Sequence, residues 1–108
     1  MTNNEYAAFR TSVEDTFISL YMLDVGSLSP AQRQAHQEAL STTYLAMLKI
    51  ENKALSDLTD QAKAKLETLA FATLALQKQL AGLRKAAQVL EIVAGALGVL
   101  GSIAKLLK

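Results

Sequence analysis

The chain has no cysteine, no tryptophan, one proline and one histidine in 108 residues. Without cysteine, disulfides, thiol nucleophiles and thiolate metal ligands are excluded. The lone His36 has no second histidine with which to build a ligand set, and Glu38, two residues on, points elsewhere on a helix. It reads as a solvated helix-face residue. Adjacent carboxylates at Glu14 and Asp15 do not face one another on a helix, so they make no acid/base pair. There is no glycine-rich turn between a strand and a helix to cradle phosphate, and no serine or lysine nucleophile with a positioned base. These absences predict a protein that is not an enzyme and has no cofactor, no metal and no small-molecule substrate.

Strand signals are missing too. No run alternates apolar and polar side chains with β-branched enrichment. The opening MTNNEYAAFR has neither the basic nor the apolar segment of a secretory signal. The expectation is a chain made in the cytoplasm, with membrane association or signal-independent export left open.

Half of the residues are hydrophobic but only 6% are aromatic, so the core has to be built from alanine and aliphatic side chains. Such residues lose little rotamer freedom in a helix, and the predicted class is all-α, a single domain over 1–108. Net charge is near zero but unevenly spread. Residues 1–60 carry four basic and eight acidic side chains, a net −4, and residues 61–108 carry seven basic and two acidic, a net +5. An acidic half packing on a basic half is one reading; a basic half facing an anionic membrane is another. Nucleic acid is disfavoured, because the basic residues are thinly spread and lack an aromatic or arginine cluster.

Asn3 or Asn4 can cap a first helix over about 4–25, with Tyr6, Phe9, Val13, Phe17, Leu20 and Tyr21 at helical spacing. Core packing is expected for these aromatics and for Tyr44, with an aromatic groove as the alternative. Gly26 is placed to end the helix in the left-handed C′ conformation. Ser29 followed by Pro30 marks the start of a second helix over about 30–52. Ser56, Asp57, Thr59 and Asp60 each suit the N-cap of a third, over about 57–81. From Leu48 onward Leu or Ala recurs every seventh residue, but its companion position drifts between +3 and +4, which favours bundle packing over a two-stranded zipper.

Gly82 is the candidate hinge. A break there yields a fourth helix over about 83–107 and an antiparallel bundle of three to four helices, each about 35 Å long. Without it, the last two segments form one helix of about 75 Å, bent or continuous at Gly82.

The C-terminal IVAGALGVLGSIAKLL, Ile92–Leu107, holds no charge before Lys105. On a helical wheel Ile92, Val93, Leu97, Val99, Leu100, Ile103, Leu106 and Leu107 fill one half, while Gly95, Gly98 and Gly101 lie in the other with Ala94, Ser102, Lys105 and Lys108. The aliphatic half requires a cover, which is the rest of the fold, a second copy of the chain, or lipid. The three glycines, each costing about 1 kcal/mol in a helix interior, suit a face that another backbone approaches closely. Lys105 and Lys108 are placed to meet headgroups. In composition the last 20 or so residues resemble Gly/Ala/Leu/Lys-rich membrane-disrupting peptides and the apolar segments of helical pore-forming toxins. That resemblance implies a membrane-acting or self-assembling helix.

Two readings follow. In one, the amphipathic segment over 83–108 mediates membrane association or self-assembly, with the chain itself or an anionic membrane as partner. In the other, a soluble bundle acts as an adaptor, immunity-type or assembly subunit through contacts with another helical protein.

Overall fold

The computed structural model describes residues 1–80 and 85–107. Four helices account for most of them: α1 (Asn3–Tyr21), α2 (Pro30–Asn52), α3 (Asp60–Leu80) and α4 (Ala86–Leu106). There are no strands among the described residues, and the all-α bundle expected from the sequence is what forms. The bundle measures 43 × 24 × 19 Å.

Three of the four helices start where a side chain can accept from their free N–H groups. Thr2, not Asn3 or Asn4, caps α1: its hydroxyl accepts from the Glu5 N–H, and the Glu5 carboxylate accepts from the Thr2 N–H. This reciprocal capping box satisfies two orphan donors at once. Ser29 and Gln32 form the same box on α2, with Pro30 at its first position. Thr59 accepts from the Ala62 N–H at the head of α3. No side chain caps α4, whose N-cap position is Lys85.

The first helix ends four residues before the sequence suggested. After Tyr21 the chain turns through a short 3-10 segment at Val25–Ser27, in which the Asp24 carboxylate accepts from the Gly26 N–H. Gly26 is part of that turn and does not adopt the left-handed conformation. The aspartate turn stops the helix before the glycine is reached. The second connection is built alike, with a 3-10 segment at Leu55–Asp57. Leu28 and Leu55 are buried, each sealing one connection onto the core.

Consecutive helices run in opposite directions. Side chains lock both ends of the α1/α2 hairpin. The Tyr6 hydroxyl donates to the carbonyls of Ile50 (3.3 Å) and Lys53 (2.9 Å) at the end of α2. At the other end His36 Nε2 lies 2.7 Å from the Leu20 carbonyl. The Ile50 and Leu20 carbonyls lie in the last turns of α2 and α1, where the i+4 donors have run out, and Lys53 follows α2 directly. His36 is therefore buried and structural, not solvated as its sequence position suggested.

α1 packs on α2 and α3, and α4 packs on the same two. Each hairpin is antiparallel within itself, and the two hairpins lie side by side, α1 beside α3 and α2 beside α4. α3 ends at Leu80, and α4 starts at Ala86 and packs against it, so the two are separate helices. Gly82, the candidate hinge, lies outside the described residues.

Val13, Leu20, Ile50, Leu66, Val93, Leu100, Ile103 and Leu107 are the large fully buried aliphatics. Among them sit three fully buried threonines that the apolar pattern did not reveal: Thr16, Thr43 and Thr73. Each hydroxyl donates to the carbonyl four residues earlier (2.7–2.8 Å), so a polar atom enters the core without losing a partner. Of the aromatics, Tyr6 and Phe9 are core residues. Phe17 is half-buried; it stacks with exposed Tyr21 at a ring separation of 6.0 Å and meets exposed Tyr44 in a tilted arrangement at 5.4 Å, on the outside of the α1/α2 seam. Core packing holds for two of the five aromatics and fails for Tyr21 and Tyr44.

The acidic N-terminal and basic C-terminal halves map onto the two hairpins. Among the described residues the one ion pair joins the Met1 ammonium to Glu67. That pair and a hydrogen bond from the Gln77 amide to the Asp15 carboxylate (3.0 Å) join the two hairpins, which otherwise meet through apolar side chains.

On the α1/α2 seam Glu14 is pushed above the ordinary glutamate range, first by burial and then by the Glu51 carboxylate. Glu5 is held below it by the Thr2 N–H of the capping box. The two act on stability with opposite signs. A folded-state pKa raised above the unfolded value means that stability is lost as pH rises through that window; a lowered one means loss as pH falls through it. Glu51→Gln removes the repulsion on Glu14, so it is expected to raise the urea midpoint at about pH 7 and to leave it nearly unchanged at about pH 4.

Candidate functional site

α4 is the one described helix that is long and apolar enough to cross a membrane, with a mean hydropathy of 1.8. Its two faces differ in size of side chain more than in polarity.

The inner face carries Val89, Leu90, Val93, Leu100, Ile103, Ala104 and Leu107, all buried against α2 and α3. Each of its large aliphatics contributes about 1.5–3 kcal/mol of burial. Of the eight aliphatics proposed to meet lipid or another chain, Val93, Leu100, Ile103 and Leu107 lie on this inner face. Ile92, Leu97, Val99 and Leu106 sit at its borders, partly buried against the core. In the folded bundle the four inner side chains meet a bilayer only if α4 leaves its place.

The outer face carries Ala87, Glu91, Ala94, Gly95, Gly98 and Lys105, all exposed, with Gly101 and Ser102 half-buried beside them. The Ser102 hydroxyl donates to the Gly98 carbonyl (2.8 Å) and so needs no outside partner. A Cβ added at Gly95, Gly98 or Gly101 meets nothing within 4 Å. No described part of the chain approaches these glycines, so the fold of one chain does not require them. Lys105 is exposed at the last turn of the helix, where a cation also complements the helix dipole. Lys108 lies outside the described residues.

Alanine at Gly95, Gly98 or Gly101 is accordingly expected to raise the free energy of unfolding by about 0.5–1 kcal/mol per site. Urea titrations of dilute protein measure it; a loss of stability would show that the folded chain uses the missing side chain after all.

A second apolar feature lies on the opposite hairpin seam. Phe71 is 78% exposed, and with Leu74 it borders a groove of about 300 Å³ between α1 and α3, whose other walls include Met1, Phe9 and Ala70. Sequence reasoning passed over Phe71 because one aromatic in an Ala/Leu-rich helix matches the core pattern. Only its position opposite Leu69, Thr73 and Leu76 on α3 marks it as outward-facing. Among the described residues no group of three or more histidine, aspartate and glutamate side chains converges.

In comparisons with protein-family models, with curated proteins and with solved structures, nothing matches this chain.

Proposed function

We propose that the protein is a small non-enzymatic assembly module that associates with further copies of itself through the outward face of α4. The observation that carries this reading is the open space at Gly95, Gly98 and Gly101. Three helix-interior glycines cost a folded chain stability, and no close contact among the described residues offsets that cost. A helix surface without side chains lets a second backbone come close, where dispersion contacts and Cα–H···O contacts accumulate.

A second reading is membrane association. The observation that favours it is the apolar length of Ala86–Leu106, with no charge between Glu91 and Lys105. It requires the α4 inner face to leave α2 and α3, because the aliphatic side chains are turned inward.

Sedimentation equilibrium across micromolar concentrations, run beside co-sedimentation with anionic and neutral vesicles, tests both. Self-assembly is expected to appear as a mass that rises above the monomer with concentration, without vesicles. A monomer throughout, bound to anionic vesicles, would replace the first reading with the second. A monomer that ignores vesicles would leave neither standing and would turn attention to an adaptor role through the Phe71 groove.

A further inference from the structure

Glu91 and Lys105 both project from the outer face of α4, and both are exposed. Glu91 precedes Gly98 by seven residues and Lys105 follows it by seven. Seven residues turn an α-helix through about 700°, so both charges lie within about 20° of the Gly98 direction. They stand about 10 Å above and below it along the axis. Neither makes an ion pair with another described residue. Within residues 61–108 there are only two acidic side chains, and one of them occupies this position.

The rest of the stripe has the same symmetry about Gly98. Ala94 mirrors Ser102, and Gly95 mirrors Gly101. Between Glu91 and Lys105 the positions of this face are therefore matched by ones of similar size, and the two ends of that stretch are matched by opposite charge. A surface that is complementary to itself under a two-fold rotation is what an isologous dimer requires.

We infer that two copies of the chain pair α4 against α4 in antiparallel fashion about a two-fold axis at Gly98, with Glu91 of each copy facing the partner's Lys105. The inference rests on the self-assembly reading and adds the partner, the direction and the register. A parallel pair is disfavoured by the same residues, because it sets Glu91 against Glu91 and Lys105 against Lys105. In the antiparallel pair the glycines meet at the crossing point, where the axes come closer than the usual 8–10 Å between packed helices. The two ion pairs flank this contact and fix its register. A single helix pair buries an area at the low end of protein interfaces, so the dimer should form at micromolar concentrations.

Charge reversal tests the register in the full chain. Glu91→Lys and Lys105→Glu each create two like-charge contacts and are expected to raise the dimer dissociation constant about tenfold or more. The double variant carrying both substitutions places opposite charges face to face again and should return to near the wild-type value. Gly98→Ile should abolish the dimer while leaving helicity and the unfolding transition intact, because the added side chain points into open space. If both single reversals leave dimerisation unchanged, or if the double variant stays as weak as either single, the register is overturned although the chain still assembles. A dimer that tolerates Gly98→Ile would move the interface off this face. A wild-type chain that stays monomeric at every concentration would overturn the self-assembly reading itself, and the register with it.

Discussion

A chain ending at Ala81 is expected to lose its cooperative thermal transition and most of its helical signal. α4 supplies Val89, Leu90, Val93, Leu100, Ile103, Ala104 and Leu107 to the buried core, and α2 and α3 both pack against it. Removing it uncovers the faces of α2 and α3 that pack against it. A domain of about 100 residues has a net stability of only about 5–15 kcal/mol. The lost burial of α4, at about 1.5–3 kcal/mol for each large aliphatic, is enough to exceed it. Far-UV circular dichroism during heating decides the matter. A truncated chain that stays helical and melts cooperatively would mean that α4 is a detachable segment, as the membrane reading would have it.

Leu100→Asp should be nearly as damaging, although it changes one residue. Leu100 is fully buried, and truncation of such a leucine to alanine alone costs about 2.7–5 kcal/mol. A carboxylate there adds the penalty of an unpaired charge, which exhausts the stability of a small domain. The control is two residues away. Gly98→Asp places the same carboxylate on the outer face, in open space, and is expected to leave the unfolding transition within about 1 kcal/mol of wild type. A chain that tolerates aspartate at Leu100 as well as at Gly98 would not be using the α4 inner face as a core wall. The pair measures the two faces of one helix against each other in the same assay.

Elements with local chemistry were legible in the residues. Ser29 followed by Pro30 marks the start of α2, and Thr59, one of four candidate caps, heads α3. The residues left open whether the last two segments form one helix or two, and α3 and α4 are separate. The amphipathic split of Ile92–Leu107 into large and small halves also holds: the large half meets the bundle and the small half faces out. These features depend on residues within one or two turns of each other.

Other features depend on what lies across a seam. His36 is buried because α2 begins beside the last turn of α1, where the Leu20 carbonyl lacks an intrahelical donor. Thr16, Thr43 and Thr73 fill the core because each hydroxyl is satisfied within its own helix, which frees it from water. Tyr21 and Tyr44 share the helical spacing of core residues but lie outside, packed with Phe17 on the α1/α2 seam.

The helical segments, the Ser29 cap of α2 and the two-faced character of the C-terminal segment were thus written locally in the sequence, because hydrogen-bond capping and the 3.6-residue period act within a few residues, although the cap of α1 is Thr2 and not Asn3 or Asn4. Only the tertiary structure decided which face of α4 is covered and by what. Burial is a relation between segments far apart in the chain, and the arrangement of α2 and α3 around α4 turns the aliphatic side chains inward. It leaves Glu91, Gly98 and Lys105 as the part of that helix that another molecule can reach.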